Sequence, residues 1–157
     1  LVDKNKDYVG LMFFQSPKNE YLKMKKYIRK NKLGKSILLF NNLPTHYWIP
    51  FVKKFRRKVM VATSKNEPLG RNLIESALNK IFVIANNSGG HKEIVSKNSG
   101  VLCDMDNINN AACIVDQLFK NIGNKSKKID TKSIKKKFQS EKYFIKIEKI
   151  YFDLNQI

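Results

Sequence analysis

Short apolar runs alternate along the chain with longer stretches whose apolar residues recur at helical spacing, and turn-forming residues separate them. Tyr8–Phe14 reads as a buried strand ended by Ser16-Pro17. Glu20 to Lys32 predicts a helix with Tyr21, Leu22, Met24, Tyr27 and Ile28 inward and lysines outward. Ser36–Phe40 is the second strand, and Asn41-Asn42-Leu43-Pro44 is its exit loop. Thr45 is placed to cap a helix reaching about Phe55, with Pro50 expected near its start or breaking it. Lys58–Thr63 is the third strand, followed by a loop and a helix from about Gly70 to Asn79. Ile81–Ala85 is the fourth strand, a loop runs through Gly89-Gly90, and a short helix lies near Lys92–Ser96. Gly100–Cys103 is a short fifth strand and Asn109–Lys120 an amphipathic helix. Ile122–Lys132 reads as a loop, and a final helix at about 141–154 carries Phe144, Ile147, Ile150 and Tyr151.

Strand runs that are apolar throughout suggest burial on both faces, and their alternation with helices requires crossover connections. The expected fold is a doubly wound, Rossmann-like α/β sheet, mostly parallel, with helices on both faces. Ligands of such sheets bind beyond the carboxyl ends of the strands, which points to the loops after Phe40, Thr63 and Ala85. No repeat or low-complexity linker divides the chain, so residues 1–157 read as a single domain.

Composition narrows this picture without changing it. The 157 residues are 42% hydrophobic, with ten Phe, six Tyr and one Trp, enough to fill one core and too many for a disordered chain. No apolar run is long enough to cross a bilayer, and no signal peptide begins at Leu1. Cys103 and Cys113 are too few for a disulfide framework and lack the companions of a zinc site. They read as reduced, buried residues of a cytoplasmic protein. A formal charge of +18 suits nucleic acid, anionic lipid or a phosphorylated ligand, but a Lys-, Asn- and Ile-rich composition produces the same excess.

Candidate chemistry is concentrated in the loop after the third strand, Ser64-Lys65-Asn66-Glu67-Pro68-Leu69-Gly70-Arg71-Asn72-Leu73-Ile74-Glu75. Gly70 lets backbone approach a ligand closely. The N–H groups of Gly70, Arg71, Asn72 and Leu73 are expected to be free at a helix start, forming an anion site suited to a diphosphate. Glu67 precedes the helix and Glu75 lies more than one turn inside it, with seven residues between them. Carboxylates beside an anion hole suit a sugar nucleotide, which has hydroxyls at both ends and phosphates between. Either glutamate can equally be an ordinary partner of the helix dipole.

The whole string resembles the sugar-nucleotide half of family 4 glycosyltransferases, enzymes of the two-domain GT-B fold. The resemblance rests on Val59–Ser64, Glu67-Pro68-Leu69-Gly70 through Glu75-Ser76-Ala77, Val83-Ile84-Ala85, Ser88-Gly89-Gly90 through Val95, and Gly100-Val101-Leu102. It implies the C-terminal half of a GT-B fold and a retaining transfer of sugar from a nucleoside diphosphate sugar to an acceptor hydroxyl, in glycan or glycolipid synthesis. By resemblance Glu67 is the catalytic-site carboxylate, contacting hydroxyls of the transferred sugar. Leu69, Gly70 and Arg71 offer N–H groups to that sugar and the diphosphate, Asn72 and Leu73 continue the anion site, Glu75 holds the ribose and Leu43 the base. Glu93 matches a family position of structural character. No metal or other cofactor is implied as obligatory, because cationic side chains and a helix N-terminus take the diphosphate charge.

The family usually opens this domain with a strand and a Gly-rich loop bearing Arg and Lys, and nothing before Tyr8 supplies them. An N-terminal acceptor domain is likewise expected as partner, and the isolated chain is expected to be inactive. Lys80 and Phe82 stand where the family commonly has Gly and Pro, and Lys58 where it has Asp. The lysines are compatible with peripheral contact at the inner membrane face, and no nucleic acid is expected. The alternatives are a noncatalytic glycosyltransferase-like domain and a basic nucleic-acid-binding α/β domain. Gly34-Lys35-Ser36 is no P-loop, since Arg29 replaces its first glycine. His46 and His91 read as surface or loop residues, and Tyr47-Trp48 as packing a helix to the sheet.

Overall fold

The computed structural model describes residues 8–14, 16–125 and 129–139; the helix expected at about 141–154 lies outside them. The chain comprises two compact units, Leu1–Lys54 and Phe55–Ile157. Among the described residues, no helix is long and apolar enough to cross a membrane.

In the first unit, β1 (Gly10–Phe14) pairs in parallel with β2 (Ile37–Asn41), Leu11 opposite Leu38 and Phe13 opposite Phe40. A parallel pair needs a crossover, and α1 (Lys18–Lys30) supplies it. Its inward stripe is narrower than expected: Ile28 is buried and Tyr21 and Met24 half-buried. Leu22 and Tyr27 are exposed, because they flank the i, i+3, i+7 line that faces the sheet. Pro17 occupies the cap position of α1. In α2 (Thr45–Lys53) the cap is Pro44, so Thr45 is the first helical residue and not the cap. Pro50 lies inside α2 without ending it. Its missing N–H leaves the His46 carbonyl without that helical donor, a local loss the buried side of the helix withstands. Trp48 does pack this helix to the sheet: its ring stacks on Phe13 at 4.9 Å, and Phe13 stacks on Phe40 at 5.0 Å. Tyr47 does not, being 62% exposed, with its ring beside His46.

In the second unit the strand order is β3-β4-β5, all parallel: Val59–Ala62, Phe82–Asn86 and Gly100–Cys103. Central β4 is buried along its whole length, as an apolar run between two neighbours should be. Edge strand β3 exposes Val61, so burial on both faces does not extend to it. The side chains of β4 divide between two clusters. Val83 and Ala85 join Leu73 and Ala77 of α3 (Arg71–Leu78) and Ile134 of α6 (Thr131–Lys137). Ile84 joins Ala111 and Val115 of α5 (Ile108–Lys125). Helices therefore cover both faces of this sheet. Between β4 and β5 lies the short α4 (His91–Ile94).

The stretch expected as a loop from Ile122 is helical to Lys125, and α6 follows a short connection. Ile122 explains the extension: it is wholly buried and joins Ile129 and Ile134 in the larger cluster. Each such side chain contributes about 1.5–3 kcal/mol by leaving water, enough to carry a helix past Gly123. Asp130 caps α6, accepting from the N–H groups of Lys132 and Ser133, both at 3.1 Å. Both cysteines are free thiols, but Cys113 is exposed, on the outer side of α5, while Cys103 is buried.

Candidate functional site

The loops at the carboxyl ends of β3, β4 and β5 meet in the second unit, and α3 starts among them. Gly70 is the cap residue of α3, at φ 65° and ψ 55°. Caps usually hold extended backbone, and this left-handed one strains any residue with a Cβ. A Cβ at Gly70 would also lie 3.2 Å from His91 Cδ2 and 3.3 Å from Leu73 Cδ1. The first turn differs from expectation at one residue. The Leu73 N–H donates to the Gly70 carbonyl and to Asn72 Oδ1, both at 2.9 Å, so it is not available to a ligand. Leu73 is instead a core residue with no exposure. Among the described residues, no acceptor serves the N–H groups of Gly70, Arg71 and Asn72, which form the open row of an anion site.

Glu67 is half-buried in the loop before this helix, and the glycine pair after β4 sets its backbone. The Gly90 N–H donates to the Glu67 carbonyl at 2.7 Å, and the Asn66 N–H to Ser88 Oγ at 3.2 Å. Gly89 takes φ 54°, and a Cβ there would sit 2.6 Å from the Glu67 carbonyl oxygen. A Cβ at Gly90 would overlap the Pro68 carbonyl. The two loops are thus stacked backbone on backbone, and glycine is required at both positions by lack of space.

His91 follows this pair and is completely buried, so its reading as a surface or loop residue is corrected. Its Nδ1 lies 3.0 Å from the Asn86 carbonyl oxygen, and its Nε2 lies 3.4 Å from Ser64 Oγ. A carbonyl can only accept, so Nδ1 carries the hydrogen and Nε2 is free to accept from the Ser64 hydroxyl. The sequence signal was the position itself, a histidine directly after a glycine pair and at a helix start. His46 is exposed, as expected.

Glu75 sits half-buried one turn into α3, and its carbonyl accepts from the Asn79 N–H at 3.2 Å. Arg71 and Glu75 are four residues apart and so share one side of the helix, separated by a rise of about 6 Å. Leu69, Arg71 and Asn72 are exposed. Leu43 is half-buried and lies in the first unit, at the exit of β2, next to Asn42 at φ 56°. The other seven expected site residues belong to the second unit, all on the Glu67–Glu75 segment. Glu93 is exposed, and its carbonyl accepts from Lys137 Nζ, which ties α4 to α6.

Lys65, Asn66, Asn86, Asn87, Ser88, Asp104 and Asp106 line a polar cleft of about 310 Å³ at the strand ends. Within it Lys65 Nζ pairs with Asp106 Oδ1 at 2.7 Å. The Asp106 hydrogen bond, then its charge, hold the Lys65 ammonium above the usual lysine range, with Asp104 adding to the effect. Asn86 Oδ1 accepts from the Met105 N–H at 3.3 Å, joining the β4 and β5 exits.

No curated protein matches the chain. The family model described as Glycosyl transferases group 1 matches residues 9–136, which include β1 through β5, the whole of α3 and every loop of the site. By that match the chain belongs to the group 1 glycosyltransferase family.

Proposed function

We propose that the chain is the donor-binding, C-terminal half of a retaining family 4 glycosyltransferase that uses a nucleoside diphosphate sugar. The observation that carries this reading is the start of α3. Three N–H groups are open at a left-handed glycine cap, a carboxylate loop is clamped beside them, and a second carboxylate lies one turn along. The diphosphate would lie on Gly70, Arg71 and Asn72, with the transferred sugar toward Leu69 and Glu67. As the glycosyl group separates from the diphosphate, negative charge grows at the leaving group. Fixed N–H dipoles stabilise that charge without moving, and the exposed Arg71 side chain adds positive charge at the same helix start. Glu75 would hold the ribose. A second domain would bring the acceptor hydroxyl, for glycan or glycolipid synthesis on the cytoplasmic side, with no metal or other cofactor required.

Calorimetry against uridine, guanosine and adenosine diphosphates and their sugar derivatives tests the reading. Saturable one-to-one binding of one nucleotide series is expected. Binding of none of them, with strongly salt-dependent binding of oligonucleotides instead, would replace it by a polyanion-binding role.

A further inference from the structure

We infer that His91 is a positioning residue for the transfer reaction, acting on the Glu67 loop through the Ser64 hydroxyl; this rests on the donor reading above. Three features of its setting go beyond simple core packing. The ring has no exposure, yet both its nitrogens face polar atoms on different strands' carboxyl ends, Asn86 as the last residue of β4 and Ser64 after β3. The two bonds differ in quality. Nδ1–H to the Asn86 carbonyl is an ordinary 3.0 Å bond to rigid, buried β4, whereas Nε2 to Ser64 spans 3.4 Å and reaches an exposed, irregular segment. The imidazole is therefore anchored by one nitrogen and guides the loop with the other. Its Cδ2 edge also lies against Gly70, filling the side where a side chain would otherwise stand.

Ser64 is three residues before Glu67, whose own backbone is held by Gly90, the residue before His91. The loop is thus held at Ser64 by His91, at Lys65 by Asp106, at Asn66 by Ser88 and at Glu67 by Gly90, and the Ser64 contact is the first of these after β3, setting the approach to the carboxylate. Loss of that contact leaves the α3 N–H row in place but lets Glu67 drift relative to the sugar. A misplacement of about 1 Å at a reacting centre can cost on the order of a hundredfold in rate. The expected signature is a kinetic defect without a nucleotide-binding defect.

The test uses the full-length enzyme and the tightest binder among UDP-glucose, GDP-mannose and ADP-glucose. Release of nucleoside diphosphate is followed with water as acceptor, and binding of the plain diphosphate by calorimetry. Ser64→Ala removes only a hydroxyl at an exposed position. His91→Asn keeps a donor where Nδ1 stood and loses the nitrogen that faces Ser64. Each variant should lower kcat about tenfold or more, with the Kd for plain diphosphate within twofold of wild type. The double variant should be no slower than the slower single one. Normal kcat in Ser64→Ala overturns the positioning role while leaving donor binding intact. A Ser64→Ala variant whose diphosphate affinity and thermal midpoint fall together with kcat makes His91 a structural residue and also overturns it. Failure of the wild-type enzyme to bind any of the three donors instead removes the donor reading itself.

Discussion

At the scale of single residues, the two glutamates separate by what each should touch. Glu75→Gln should weaken plain nucleoside diphosphate and sugar nucleotide alike, because both contain the ribose, by about 1.5–3 kcal/mol for a charge-assisted hydrogen bond. Glu67→Gln should leave plain diphosphate binding unchanged and, in the full-length enzyme, lower turnover more than donor affinity. Calorimetry with the plain diphosphate distinguishes them, and equal losses in both variants would end this division of roles. The thiols offer a second check. Burial, then the Asp104 charge, raises Cys103 above the ordinary thiol range. The folded chain then holds a proton that an unfolded chain releases, so this stability is complete below the unfolded thiol pKa and falls as pH rises through the folded one. The stability advantage of wild type over Cys103→Ala should accordingly shrink from neutral to alkaline pH, measured by urea unfolding. An aromatic disulfide reagent at neutral pH should label exposed Cys113 well before Cys103. The Glu67–Glu75 string stands out in the sequence as a candidate site because its residue types recur at fixed spacing. The contact between His91 and Ser64 does not, because they are twenty-seven residues apart and a bond between them exists only once two strand exits are side by side.

At the scale of elements, strands and helices announced themselves by the length and period of their apolar positions, and most ends moved by only a few residues. The larger error lay in the expected loop Ile122–Lys132, where Gly, Asn, Ser and Lys signal a turn but α5 continues to Lys125 and α6 begins at Thr131, with Ile122, Ile129 and Ile134 buried. Three isoleucines spread over thirteen residues form no visible stripe, so tertiary packing overrode local composition. Ile122→Ala should therefore cost about 2–5 kcal/mol in urea unfolding. Ile108→Ala, at a side chain 75% exposed on the first turn of the same α5, should cost less than about 0.5 kcal/mol. Equal costs would mean that the end of α5 contributes nothing to the core.

At the scale of the whole molecule, parallel pairing and helical crossovers followed from runs that are apolar throughout. The boundary between the two compact units left no trace, because Lys53-Lys54-Phe55-Arg56-Arg57 contains no glycine, serine or proline to mark it. The lysines raise a separate question, since a charge of +18 is distributed over most elements and marks no single face by composition. Contact with an anionic membrane predicts that full-length protein sediments with phosphatidylserine vesicles at low salt and is released as salt rises past the Debye range. Absence of binding at low salt would assign the lysines to composition alone.

The glycine pair pressed against Glu67 and Pro68 also bears on how this loop could be redesigned. Its path is set by the thickness of the backbone beneath it and by Asn66 at φ 53°, while Leu69 remains exposed. Variation at Leu69 can change the chemistry offered to a sugar without moving the track that carries it. A library randomised there and held constant at Gly89 and Gly90 would thus search donor preference largely free of folding failures, whereas one that includes either glycine would consist mostly of chains unable to close the loop.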